Sequence, residues 1–153
     1  MRALIQRVDS CSVLVDGVTV GSIGKGMLVL LGVGKEDTPP DADVLAARCS
    51  ALRIFDDGAG KMNLSVIDMG GEVMVVSQFT LYGDTRRGNR PSYSDAGNPQ
   101  DAEKLYAMFV DSMRSRIGEK RVATGMFRAM MKVQLVNDGP VTVMVETKSA
   151  ITS

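Results

Sequence analysis

Histidine is missing from this sequence of 153 residues. Its absence excludes the Ser-His-Asp and Cys-His machinery of many hydrolases and removes the commonest transition-metal ligand. Cysteine is scarce as well, since Cys11 and Cys49 are the only two. A zinc site would therefore need mostly carboxylates, which is unusual. Neither thiol has an imidazole to activate it, so we expect two reduced thiols and keep a thiol hydrolase only as an alternative.

Net charge and long apolar runs are missing too. The 18 basic side chains equal the 18 acidic ones, so no overall field attracts nucleic acid, and any RNA contact must be local. The longest apolar run, Met27 to Val33, is far too short to cross a bilayer. No signal peptide is evident at the start. These features predict a cytoplasmic protein without a membrane partner.

The first third of the sequence predicts strands, and two amphipathic helices follow. Aliphatic and β-branched segments at 3–8, 12–15, 18–23 and 27–32 are separated by Asp16-Gly17 and Gly24-Lys25-Gly26, which are typical of turns. A helix is predicted from Pro39, and a second one starts near Pro99. Both carry apolar residues at helical spacing: Ala42, Leu45, Ala46, Cys49 and Leu52, then Ala102, Leu105, Tyr106, Phe109, Val110 and Met113.

Later strands complete the predicted fold. A strand is expected over 72–79, and alternating residues over 131–136 and 141–146 predict a C-terminal hairpin. The pattern predicts an α+β fold: one strand-rich domain over 1–147, with mixed or antiparallel sheets forming a barrel-like core and two main helices packed on it. Residues 148–153 are expected to be a short C-terminal tail.

A basic loop at Arg86-Arg87-Gly88-Asn89-Arg90 stands out in a neutral chain. It is either a solvated surface loop or a set of guanidiniums that meet phosphates, and the residues alone favour neither.

Two further segments have plain structural explanations. Ser77-Gln78-Phe79-Thr80-Leu81 closes an apolar strand, and Thr80 is a lone hydroxyl without a base. Asn137-Asp138-Gly139-Pro140-Val141-Thr142 has the residues of a hairpin turn.

Together, however, these two segments resemble the paired signatures of the D-aminoacyl-tRNA deacylases, Ser-Gln-Phe-Thr-Leu and Asn-x-Gly-Pro-x-Thr, in the same order. Four more stretches resemble family segments in their expected places: 3–8, 53–55, 60–63 and 88–92. A related animal branch replaces Ser-Gln-Phe of the first motif, so Ser77-Gln78-Phe79 favours the D-specific branch.

The resemblance implies a hydrolase that releases D-amino acids, and mischarged glycine, from tRNA while rejecting L-aminoacyl-tRNA. It implies a homodimer with a site across the subunit interface, no metal or organic cofactor and no DNA partner. The implied catalytic residues are Ser77, Gln78, Phe79 and Thr80. The implied substrate-binding residues, which reject the L-enantiomer, are Gly139 and Pro140, joined by a cis bond, with Asn137, Thr142 and Arg7 in support.

Such a site can work without a titrating side chain. Backbone N–H groups near Phe79 and Thr80 would stabilise the oxyanion of an activated ester, and the ribose hydroxyl beside the ester would move the proton. Thr80 as nucleophile, or a lysine or carboxylate as base, stays an alternative. Phe79 would stack on the terminal adenine or pack in the core. Two other functions stay open: a non-catalytic binding module for aminoacyl-tRNA 3′ ends, and a structural interaction protein.

Overall fold

The computed structural model describes residues 1–148 and contains a mixed six-stranded sheet, a small hairpin and two helices. The strands are β1 (Arg2–Val15), β2 (Val18–Ile23), β3 (Gly26–Gly32), β4 (Phe55–Asp56), β5 (Met62–Leu64), β6 (Glu72–Ser77), β7 (Val122–Thr124) and β8 (Lys132–Glu146), and the helices are α1 (Pro39–Ala51) and α2 (Pro99–Ile117). All but Lys148 of the predicted tail lies outside the described residues.

The order of the main sheet is β2-β1-β3-β6-β7, with β8 also paired to β1. Neighbours β3 and β6 run parallel, as do β6 and β7, because α1 and α2 form the crossovers between them. Strands β1, β2, β3 and β8 pair antiparallel. Strands β4 and β5 form the separate hairpin.

The sheet curls into a nearly closed barrel, which confirms the predicted fold class. Strand β2 approaches β7 so closely that a Cβ at Gly21 would lie 2.5 Å from the carbonyl oxygen of Thr124. One core fills the curled sheet and includes Val13, Leu28 and Met74. The larger core lies between the sheet and the helices and includes Leu45 and Phe109. Burying two faces in this way lets a chain of this size hold a rigid frame for a surface site.

Local signals set the ends of several elements. Asp16 and Gly17 both have positive φ, 50° and 77°, which suits the tight turn between β1 and β2. Asn98 caps α2 by accepting the N–H of Asp101 at 3.0 Å. Gly118, at φ 108°, ends that helix. The predicted turn at Asp16-Gly17 and both predicted helices are confirmed.

Three sequence-based predictions about strands were wrong. The C-terminal hairpin does not form, because β8 runs as one strand of 15 residues along β1, itself 14 residues long. The two strands predicted at 3–8 and 12–15 are both parts of β1. The strand predicted over 72–79 ends at Ser77, and a 3₁₀ turn over Phe79–Tyr82 follows.

Within residues 1–148, neither helix is long and apolar enough to cross a membrane.

Candidate active site

The segment Ser77–Thr80 leaves the sheet at the end of β6 and turns across the end of β3. The N–H of Gln78 donates to the carbonyl of Leu31 at 2.7 Å, the last backbone bond before the chain turns. The N–H groups of Phe79 and Thr80 have no protein acceptor among residues 1–148. Both residues are exposed, so these two donors are free to bind a ligand.

The 3₁₀ turn over Phe79–Tyr82 is stabilised by contacts of Arg2 with Leu81 and Tyr82. Arg2 Nη1 donates to the carbonyl of Leu81 at 2.9 Å, and its guanidinium lies 4.4 Å from the centre of the Tyr82 ring. The ring fits only because position 34 is glycine, where a Cβ would lie 2.8 Å from it. Burial and the nearby charge of Asp37 raise the pKa of Tyr82, so its hydroxyl stays neutral.

A cavity of about 450 Å³ opens beside this turn. Its lining combines the residue after β3, the end of β6 with the turn that follows it, the loop before α2, the first turns of α2 and the segment after β7: Val33, Ser77, Phe79, Tyr93, Ala96, Gly97, Pro99, Ala102, Phe127 and Arg128. Most of this lining is apolar or aromatic. A lining of this kind suits a flat ligand group that carries little charge.

Hydrogen bonds join the walls of the cavity to the main sheet. The carbonyl of Val75 accepts from the Tyr106 hydroxyl at 2.9 Å and from the N–H of Gly125 at 3.2 Å. Burial raises the pKa of Tyr106 to about 12, so that hydroxyl remains a donor. Its ring lies 5.7 Å from Phe127. Gly97 donates to the carbonyl of Val33 at 2.9 Å and fixes the opposite wall.

The side chains of the segment itself lack a base. Gln78 Nε2 donates to the Thr80 hydroxyl, and no carboxylate or amine of residues 1–148 bonds to that hydroxyl. Phe79 is 55% exposed, so its interpretation as a core residue was wrong. Its ring meets Tyr93 edge-on, with the ring centres 5.1 Å apart. The two aromatics form one rim of the cavity.

The second motif forms a wide bulge in the middle of β8. Gln6 of β1 pairs with Thr142, and Val8 pairs with Asn137, so the four residues 138–141 lie opposite Arg7 alone. The Gly139–Pro140 bond is cis, as the resemblance implies, and both residues are exposed. The prediction of a hairpin turn was wrong because β1 extends past the bulge and keeps pairing with β8.

Two side chains hold the bulge. Asn137 Nδ2 donates to the carbonyls of Arg7 at 2.9 Å and Val141 at 3.3 Å. These bonds hold the two ends of the bulge together. Arg7 is 8% exposed. Its Nε donates to the carbonyl of Asp138 at 3.0 Å and its Nη1 to that of Ile54 at 2.8 Å.

Thr142 lies outside the bulge, at its C-terminal shoulder. Its hydroxyl accepts from Gln6 Nε2 at 3.3 Å. Of the residues expected to support Gly139 and Pro140, Arg7 and Asn137 therefore bond to the bulge, whereas the Thr142 side chain bonds to Gln6.

The bulge and the cavity lie at opposite ends of the sheet. Asn137 is in the cross-strand row that contains Val8, Gly26 and Glu72, whereas Ser77 is five residues further along β6. At roughly 3.3 Å per residue, this separation is about 17 Å along the strands. The Ser77–Thr80 segment of one chain therefore does not meet Gly139-Pro140 of the same chain.

Among the cavity residues that sequence reasoning missed are two aromatic residues and one charged residue: Tyr93, Phe127 and Arg128. They come from two separate loops and reach the cavity only through tertiary packing, and no motif marks them.

The tip of the basic loop, in contrast, contributes nothing to the cavity lining. Its Arg86 is held by Asp84, with N···O distances of 2.9 and 2.7 Å, and this pairing lowers the pKa of that carboxyl.

The two thiols lie in the protein interior. Cys11 and Cys49 are free and buried, and burial raises their pKa to about 11 and about 12. At neutral pH both are protonated and poor nucleophiles. Within residues 1–148, no group of three or more cysteine or carboxylate side chains is placed to hold a metal ion.

Comparison with known proteins gives consistent matches over nearly the whole chain. The family model described as D-Tyr-tRNA(Tyr) deacylase matches residues 4–146. A protein from Thermosipho melanesiensis named D-aminoacyl-tRNA deacylase is 57% identical over 148 residues, which cover 97% of this chain and 98% of the relative. A protein of the same name from Anaeromyxobacter dehalogenans is 53% identical, with the same coverage.

Two solved structures share the fold. A structure titled c-Myc DNA Unwinding Element Binding Protein matches with a TM-score of 0.93 and 37% identity, over 97% of this chain and 100% of that one. A structure described as a probable eukaryotic D-amino acid tRNA deacylase matches with a TM-score of 0.79 over 95% of this chain and 98% of that one. At 18% identity, the second match supports the fold alone.

Proposed function

Because this chain belongs to the D-Tyr-tRNA(Tyr) deacylase family, a family of ester hydrolases, we propose that it frees tRNA from D-amino acids and from mischarged glycine while sparing L-aminoacyl-tRNA. The reaction yields tRNA and the free amino acid and serves quality control in translation. We place it in the cytoplasm, where tRNA is charged.

The observation that carries this proposal is the separation of the two motifs. Each chain exposes an open cavity beside Ser77–Thr80 and, about 17 Å away along the sheet, a braced bulge that exposes Gly139 and Pro140. In a twofold dimer the same surface patch serves both subunits, so each bulge can meet the other cavity. We therefore propose a homodimer with two active sites, each built from both chains.

The cavity is proposed to bind the terminal adenosine of the tRNA. Single-stranded RNA ends are bound by stacking bases on aromatic side chains, a mode that tolerates different sequences elsewhere. Phe79, Tyr93 and Phe127 provide such surfaces around the cavity. Because every tRNA ends in the same adenosine, one cavity serves many tRNAs.

The ester would then lie against the free N–H groups of Phe79 and Thr80. Water attacks the ester carbonyl, the carbonyl oxygen becomes an oxyanion, and the two N–H groups donate to it. Collapse of this intermediate expels the ribose oxygen, which takes the proton that the attacking water gives up. In the proposed reaction the neighbouring ribose hydroxyl relays that proton, so no histidine, metal ion or organic cofactor is needed.

The proposed selection between enantiomers uses backbone atoms. The carbonyls of Gly139 and Pro140 of the partner subunit accept the α-ammonium group, while the ester is fixed at Phe79 and Thr80. With two groups fixed, the side chain of one enantiomer points to solvent and that of the other into main-chain atoms. Glycine has no side chain and is cleaved.

The direct test measures amino acid release from D-tyrosyl-tRNA, L-tyrosyl-tRNA and glycyl-tRNA, with excess chelator present. We expect fast cleavage of the D and glycyl substrates and none of the L substrate. Cleavage of all three would refute the steric selection. Tight binding without release of any amino acid would replace the enzyme by a binding module, and neither binding nor release would favour a structural protein.

A further inference from the structure

Arg128 is the one charged residue among the described residues that line the cavity. It lies in a turn closed by the N–H of Ala129, which donates to the carbonyl of Met126 at 3.1 Å. Its side chain is exposed at the cavity wall. The neighbouring wall residue, Phe127, is apolar, so the guanidinium is a single positive group at the edge of an apolar cavity.

A further feature of Arg128, its unpaired guanidinium, has no explanation within the fold. Its φ of 66° belongs to the turn from Met126 to Ala129, whose third residue takes a positive φ. Among residues 1–148, no carboxylate or carbonyl pairs with its guanidinium. Arg86 differs, since Asp84 takes two of its donors. Arg128 keeps its five N–H donors for a ligand.

The chemistry of the cavity indicates the ligand. An aromatic cavity with one cation at its edge is complementary to a flat base that carries an anionic group on one side. Arginine binds phosphate oxygens through two parallel hydrogen bonds. A terminal nucleotide combines a base with a phosphate on its 5′ side.

We propose that Arg128 binds the phosphate on the 5′ side of the terminal adenosine when the base occupies the cavity. This inference rests on the proposed function, because it takes the ligand to be the 3′ end of tRNA. Arg128 is then a positioning residue: it fixes the nucleotide along the cavity and so sets where the ester meets Phe79 and Thr80.

The test compares binding of adenosine 5′-monophosphate with binding of adenosine, followed by NMR titration of the full chain. We expect the phosphorylated nucleotide to bind about tenfold more tightly, as one charged bidentate contact predicts. Arg128→Gln should reduce this ratio to about one without weakening adenosine. Arg90→Gln, on the basic loop, is the matched control and should keep the ratio.

Arg128→Gly separates ligand binding from folding. Glycine adopts positive φ without strain, so this variant should be at least as stable as the natural chain and still lose the phosphate preference. Equal binding of the two nucleotides by the natural chain, or a preference that survives in Arg128→Gly, would overturn the inference. If the preference is present but no aminoacyl-tRNA is cleaved, the phosphate site stands and the proposed reaction fails.

Discussion

The guanidinium of Arg7 is joined to both the backbone and the side chain of Asp138. Its Nε lies 3.0 Å from the carbonyl oxygen and 3.1 Å from a carboxylate oxygen of that residue. Asp138 directly precedes the exposed Gly139, so this contact links a buried residue of β1 to the tip of the bulge. The proposed enantiomer filter thus depends on an arginine that does not itself touch the substrate.

Arg7→Met should weaken the filter as well as the fold. It leaves the buried carbonyl of Ile54 without its donor and frees Asp138, so we expect the free energy of unfolding to fall by about 2–3 kcal/mol. Urea unfolding measures this loss. Release of L-tyrosine from L-tyrosyl-tRNA should rise relative to release of the D-enantiomer, because a loose bulge no longer fixes the α-ammonium group.

The matched control is Arg48→Met, which removes another guanidinium–carbonyl bond, to Glu146 at the far end of β8. It should leave the ratio of D to L cleavage unchanged. An unchanged ratio in Arg7→Met as well would contradict the bracing role.

Phe79→Ala should impair function far more than stability. The ring is more than half exposed, so its removal should change the free energy of unfolding by less than about 1 kcal/mol. Loss of a base–aromatic stack costs about 1–3 kcal/mol, which predicts a fall in kcat/KM of about 5- to 150-fold. Val18→Ala removes a similarly exposed apolar side chain and should leave kcat/KM unchanged; equal activity of the two variants would contradict stacking.

Thr80→Ala should keep measurable turnover, because no base contacts its hydroxyl. A nucleophilic threonine would instead lose about 10⁴-fold or more when removed. Replacing the terminal 2′-hydroxyl of a 3′-D-aminoacyl-tRNA by hydrogen should lower kcat more than Thr80→Ala does. Single-turnover kinetics on both measures this order, and trapping of an acyl-enzyme on the natural chain would reverse the assignment.

The two thiols should be inert at neutral pH. Burial raises the pKa of Cys11 and Cys49 from 9.0 to about 11 and about 12. A raised pKa favours the protonated form in the fold, so this contribution to stability is full below about pH 9 and is lost as the pH rises through about 11. At pH 7.5, iodoacetamide should modify neither thiol in the native protein and both in urea, as mass spectrometry will show. Inactivation in step with alkylation would revive the thiol hydrolase.

Local sequence signals were sufficient where the structure is decided locally. Asp16-Gly17 needs positive φ at both residues, and the apolar stripe from Ala42 to Cys49 buries one helix face, so both predictions hold. The same reasoning failed at Asp138-Gly139. These residues are typical of a turn, but β1 continues past them and keeps β8 in one line. Pairing with a distant strand therefore decided the outcome.

The candidate site was only half visible in the sequence. The positions of Ser77–Thr80 and of Asn137–Thr142 follow from two contiguous motifs. Tyr93 and Arg128 are brought to the cavity by a loop and a turn that packing against β6 and α2 holds in place, and no spacing in the sequence encodes that approach. Neither motif could reveal that the two lie far apart within one chain.

That separation leads to a prediction about mixtures of variants. Ala102→Phe should fill the cavity that Ala102 lines and leave the bulge intact. Gly139→Val should spoil the bulge, because its Cβ would lie 3.0 Å from Asn137 Oδ1, and leave the cavity intact. Each variant alone should be nearly inactive.

Unfolding and refolding an equal mixture of the two variants gives half of the dimers as heterodimers. The expected activity then depends on whether each site takes its cavity from one subunit and its bulge from the other. If it does, each heterodimer has one intact site, so the mixture should regain about a quarter of the natural rate. Two sites built within single chains would regain none, whereas a mixture of two copies of the same variant should stay inactive in either case.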